Sequence, residues 1–158
     1  MIEKIEYPAW YLSRRKYYDF FAGVPFVGPQ AIIARQVAKA LSHRDPVHTS
    51  EAWQQDLDLH EDDYRIFLNV VSRFVSWDVS KIGPHDNAAL AMGLVCGSHL
   101  DPEDVICDLV AATCGDSMKP SDAMISGLLD DAEKSSVGEF LARLKNVRTE
   151  GTRGAPTL

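Results

Sequence analysis

His60-Glu61-Asp62-Asp63-Tyr64-Arg65-Ile66-Phe67-Leu68-Asn69-Val70-Val71-Ser72-Arg73-Phe74-Val75-Ser76-Trp77 is the stretch on which the fold class turns. Tyr64, Phe67, Leu68, Val71, Phe74 and Val75 recur at i, i+3, i+4, i+7, i+10 and i+11, with Arg65, Asn69, Ser72, Arg73 and Ser76 on the other side. A period of 3.6 residues places the first set on one stripe of a helix, where it faces a core. Glu61, Asp62 and Asp63 fall in the first turn, where negative charge meets the positive end of the helix dipole.

Outward from this helix, the same logic finds others. Asp101 and Pro102 read as a helix start, because Asp caps free N–H groups and Pro at the first position loses no bond. Val105, Ile106, Leu109 and Val110 follow, and Gly115 is a left-handed stop. Ser121 and Asp122 open a helix carrying Met124, Ile125, Leu128, Leu129 and Ala132 on one face. Ser136 and Glu139 have the spacing of a capping box, ahead of Val137, Phe140, Leu141, Leu144 and Val147. Pro29 to Leu41 is predicted helical, as is a short stretch beginning at Thr49 or Ser50 and passing Trp53. Residues 86–98 are apolar nearly all round and rich in Ala and Gly, the pattern of a buried helix approached closely by its neighbours.

The first 28 residues admit two readings: a helix over Tyr7–Phe21 entered at Pro8, or an irregular segment in which Ile2 and Ile5 are partly extended. Gly23 to Pro29 reads as a loop, since prolines and glycines interrupt regular hydrogen bonding. Residues 149–158 are expected to be a disordered tail. With no run of alternating strands, the expectation is an all-α fold. It is a single compact bundle of about six or seven helices over residues 1–148, around the buried small-residue helix 86–98.

At 158 residues, 46% apolar and 25% charged, the chain has the composition of one ordinary globular domain. The opening residues Met1–Glu6 lack the charged leader and apolar run of a secretory signal. The least polar stretch, Ala88–Val95, is far shorter than the roughly 20 residues of a membrane span. Three cysteines do not form a secreted disulfide framework, so a cytoplasmic setting without membrane contact is expected. The net charge of −7 is unevenly spread. Residues 1–44 hold seven Lys/Arg against three Asp/Glu, residues 45–142 five against nineteen, and residues 143–158 four against one. The acidic middle repels a phosphate backbone, which makes nucleic acid an unfavoured partner.

Four constellations bear on chemistry. Cys96, His99, Cys107 and Cys114 contain zinc-type donors, but their spacing matches no common zinc pattern, and free Cys is also a frequent core residue. No metal and no other cofactor is therefore expected. Glu61–Asp63 and the pair Asp130–Asp131 are consecutive, so on a helix they fan around the axis instead of converging. No nucleophile elbow or phosphate-cradling glycine loop is present, and no catalytic residue is assigned. A helix-turn-helix over the helices at 101–115 and 121–132 would present Asp122, Asp130, Asp131 and Glu133 to phosphates. The pair at 31–41 and 49–57 has the better basic content in Arg35, Lys39 and Arg44, across a long connection.

The N-terminal segment concentrates Trp10, Tyr11, Arg14, Arg15, Lys16, Tyr17, Tyr18, Phe20 and Phe21 within twelve positions. Tyr, Trp and Arg are enriched at binding hot spots, and Trp10, Tyr11, Arg14, Arg15, Lys16, Tyr17 and Tyr18 form the candidate partner-binding set. The competing reading places Trp10, Tyr17 and Phe21 over the bundle core. The function expected from these features is a non-catalytic protein–protein interaction module: a small regulator, an adaptor, or an acidic inhibitor of a basic or nucleic-acid-binding partner. Its partner is another protein, and a homo-oligomer is compatible with the pattern. The alternatives are a small metal-dependent enzyme or sensor using the Cys/His set, and a weak DNA-binding regulator.

Overall fold

The computed structural model describes residues 4–13, 29–46, 61–94, 102–115 and 119–153. Seven α-helices and a 3-10 turn follow among them. They are α1 (Ala9–Leu12), α2 (Pro29–Ser42), α3 (Glu61–Val71), the turn Val79–Lys81, α4 (Ala88–Ala91), α5 (Pro102–Cys114), α6 (Asp122–Lys134) and α7 (Val137–Arg153). The described residues contain no strand, and the fold is an all-α bundle. The helix expected from Thr49 or Ser50 lies outside them, as do Ile2 and the loop Gly23–Gly28.

The helix starts form as their local chemistry dictates. Ser121 Oγ accepts the Met124 N–H at 3.2 Å. Ser136 and Glu139 make the reciprocal pair of a capping box: Ser136 N–H donates to Glu139 Oε2 at 3.0 Å, and Glu139 N–H to Ser136 Oγ at 3.3 Å. Gly115 ends α5 with φ +102°, and its N–H reaches the Ala111 carbonyl at 3.0 Å, the αL type of stop.

Packing follows the stripes. Tyr64, Phe67, Val70 and Val71 of α3 are buried and meet α5, whose Val105, Ile106, Leu109 and Val110 are buried in turn. Phe74 and Val75 pack on the core too, but beyond the helix, because α3 tightens into successive turns after Val71. Helix α5 also packs on α6 and α7. Their inward residues Ile125, Leu128, Ala132, Val137, Phe140, Leu141 and Leu144 close the core from the other side.

Two expected boundaries are corrected. The small-residue helix is central, with Ala88, Ala89, Leu90 and Ala91 all fully buried between α2, α6 and α7, but of the expected 86–98 it takes Ala88–Ala91, and residues 95–98 lie outside the described residues. Gly93, at φ +72°, stops it. Leu94 N–H reaches the Ala89 carbonyl at 3.0 Å and Gly93 N–H the Leu90 carbonyl at 3.1 Å, the two bonds of a Schellman stop. A side chain at Gly93 would also meet Val75 at 3.0 Å. The tail expected from residue 149 is helical through Arg153, since each added residue gains a hydrogen bond without a new nucleation step.

Candidate functional site

Asp86 organises the end of the bundle nearest the N-terminus. Its side chain is 2% exposed, and its two oxygens accept from three separate parts of the chain. Ile5 N–H reaches Oδ1 at 2.8 Å, and Gly83 N–H reaches Oδ2 at 2.7 Å. Arg44, just beyond α2, grips both oxygens, Nη1 on Oδ2 at 2.6 Å and Nη2 on Oδ1 at 2.9 Å. A two-pronged guanidinium–carboxylate contact of this kind is both strong and directional. The Asp86 carbonyl accepts the Val137 N–H at 2.8 Å, which ties the start of α7 to the same residue.

Asn87 extends the network. Its N–H donates to the Ile5 carbonyl at 2.9 Å, its Oδ1 caps α4 through the Leu90 N–H, and its Nδ2 donates to the Glu133 carbonyl. Tyr64 lies close by, donating its hydroxyl to the Ile82 carbonyl at 2.9 Å. Burial, and secondarily the negative charge of Asp86, hold its proton well above the usual tyrosine range.

Beside this network a cleft of about 540 Å³ separates residues 4–8 from α2. Ile33, Val37 and Leu90 contribute apolar lining, with Lys4, Glu6, Gln36, His43 and Asp45 among the polar residues around it. Arg44 also borders the cleft, although its guanidinium is committed to Asp86.

The other polar concentration lies on α5 and α6. These two helices carry seven acidic residues, Glu103, Asp104, Asp108, Asp122, Asp130, Asp131 and Glu133, against one basic residue, Lys134. Glu103, Asp104, Asp122 and Asp130 are exposed and the other three half-buried. Lys134 pairs with Asp130 one turn away, and Arg143 of α7 pairs with Asp131.

The candidate partner-binding residues are divided. Tyr11 is 2% exposed and belongs to the core, stacked with Tyr7 at 5.6 Å between ring centroids. That burial removes Tyr11 from any surface a partner can reach. Trp10 is 38% and Leu12 53% exposed. Arg14, Arg15, Lys16, Tyr17, Tyr18, Phe20 and Phe21 lie outside the described residues. Of the alternative metal set, Cys107 and Cys114 are half-buried and pack against the core, while Cys96 and His99 are outside the described residues. Among the described residues no group of three His, Cys, Asp or Glu is placed to hold a metal ion.

Arg44 corrects the basic surface considered for DNA. Arg35 and Lys39 are exposed on α2, but Arg44 is buried against Asp86 and cannot reach a phosphate without breaking that pair. On the helix-turn-helix reading of α5 and α6, Asp122 and Asp130 stand exposed on the would-be recognition helix. Sequence reasoning missed the Asp86–Asn87 hub. The local signal was Gly83-Pro84 followed by Asp86-Asn87, a turn leading into a helix cap.

The fold and surface define a helical bundle with a small cleft and an acidic pair of helices. No family model, no curated protein and no solved structure matches the chain. Among the described residues, no helix is long and apolar enough to cross a membrane.

Proposed function

We propose that the protein is a non-catalytic interaction module that binds a basic protein partner through the α5–α6 surface. The observation that carries this reading is the placement of the acidic residues. Among the described carboxylates Asp86 alone is buried and neutralised by an internal arginine, whereas Glu103, Asp104, Asp122 and Asp130 face solvent on helices that carry a single lysine. A surface of one sign steers an oppositely charged partner and fixes its orientation. In a regulator or inhibitor, such a surface occupies the basic groove that its partner otherwise offers to a polyanion.

The test compares the natural chain with a variant neutral at all four positions: Glu103→Gln, Asp104→Asn, Asp122→Asn and Asp130→Asn. Partners captured from the native host should be basic. Their affinity should fall at least about tenfold between roughly 0.05 and 0.5 M salt, as screening shortens the reach of exposed charges. The neutral variant should lose most of this binding and its salt dependence. Capture that is indifferent to both salt and neutralisation would sink the reading.

A further inference from the structure

The segment around Ile5 alternates as an extended chain does, with Lys4 and Glu6 exposed and Ile5 buried between them, and the hub uses one of its two backbone edges. Ile5 donates to Asp86 and accepts from Asn87, so both its backbone groups point inward. In an extended chain adjacent residues direct these groups to opposite edges. Those of Lys4 and Glu6 therefore face away from the hub, and among the described residues neither makes a backbone hydrogen bond. Their side chains share the solvent face, joined Nζ to Oε1 at 2.6 Å, while Ile5 is buried on the other face. The edge stops at Glu6. Pro8, the next residue of the same parity, has no N–H, and its carbonyl already accepts from Tyr11 and Leu12.

We propose that this short edge pairs with the same edge of a second copy of the chain, antiparallel about a two-fold axis at Ile5. In that register Lys4 of one copy lies opposite the partner's Glu6, and Glu6 opposite the partner's Lys4. Each couple exchanges N–H and carbonyl, giving four hydrogen bonds flanked by two ion pairs. Ile5 falls at the central position where an antiparallel pair makes no bonds across, which suits a residue whose groups are engaged inward.

Charge selects the occupant and the register together. A parallel pairing sets Lys4 against Lys4 and Glu6 against Glu6, and a two-residue slip leaves charges unmatched. The antiparallel arrangement is self-complementary, as a two-fold interface requires. The exposed Lys4–Glu6 pair within one chain is worth little and exchanges readily for the cross-strand pairs. Three residues a side make a small contact, so the dimer is concentration-dependent.

Sedimentation velocity on the full chain from about 10 µM to about 1 mM tests this. Wild-type protein should shift from monomer to dimer across that range. K4E places Glu at both positions and E6K places Lys at both, so each should weaken self-association about tenfold or more. The double swap K4E/E6K should restore it. An equimolar mixture of K4E and E6K should associate more tightly than either alone, a result that damaged folding cannot produce. A wild-type chain still monomeric at the top of the range would overturn the proposal and leave the edge to a different partner. Equal dimerisation by the single variants, the swap and the mixture would overturn it too, by placing the contact elsewhere.

Discussion

Asp86 and the carboxylates of α5–α6 are the same chemical group in opposite circumstances. At Asp86 the charge is withdrawn from water, and four donors from three parts of the chain converge on it. Its partners lie 81, 42 and 3 residues away in sequence. On α5–α6 the exposed Asp130 answers Lys134, one turn away on the same helix. Burial turns a carboxylate into an organising centre, because in a low dielectric it must collect partners or destabilise the fold. Exposure leaves it hydrated, contributing to the field around the molecule instead. Glu139 stands between the two cases, exposed yet bound to a backbone N–H at a helix start.

The contrast is easiest to break at Asp86. Asp86→Ala leaves Arg44 buried without its counter-charge and strands the N–H groups of Ile5 and Gly83. Stability measured by urea unfolding should fall by about 3–5 kcal/mol.

Tyr64 offers a pH test of the same buried region. Its pKa is raised in the folded chain above the usual value of 10.0, first by burial and then by Asp86. A raised pKa means that the folded state keeps its proton when the unfolded state has lost it. Stability is therefore unaffected well below pH 10 and falls as pH rises past it, by about 1.4 kcal/mol per pH unit until the folded group ionises. Tyr64→Phe should flatten that alkaline limb relative to wild type, as followed by thermal melts between pH 8 and 11. An alkaline limb of unchanged steepness would remove Tyr64 from the account.

At the intermediate site the effect should be smaller. Glu139→Ala removes one half of the capping box, and Ser136→Ala the other. Each should lower stability by about 1 kcal/mol in chemical unfolding. On the outer surface, Asp104→Asn or Asp122→Asn should change stability by no more than about 0.5 kcal/mol. Both should still reduce association with a basic partner at low salt. A surface substitution as damaging as Asp86→Ala would erase the distinction between the two regions.

Much of this bundle was legible in the chain because helix signals are local. Ser121, Ser136 with Glu139, and Gly115 act within one turn, and the stripes of α3, α5, α6 and α7 repeat every three or four residues. The extent of the 86–98 segment was not legible, because Gly93 resembles the other small residues around it. The backbone reversal there places it against Val75. Arg44 read as surface charge, since its partner is 42 residues away and no local pattern announces the pair. Tyr11 read as part of the candidate interface, because nothing local announces its burial against Tyr7.

Composition and periodicity by themselves determined an all-α chain, the capped starts of its later helices, the Ala-rich centre and the acidic excess of its middle. These are properties of neighbouring residues, set by backbone hydrogen bonding and side-chain spacing. Tertiary structure decided which carboxylate went inside and which arginine went with it. Those outcomes depend on long-range encounters, where the desolvation of a charge is offset only if distant donors arrive together.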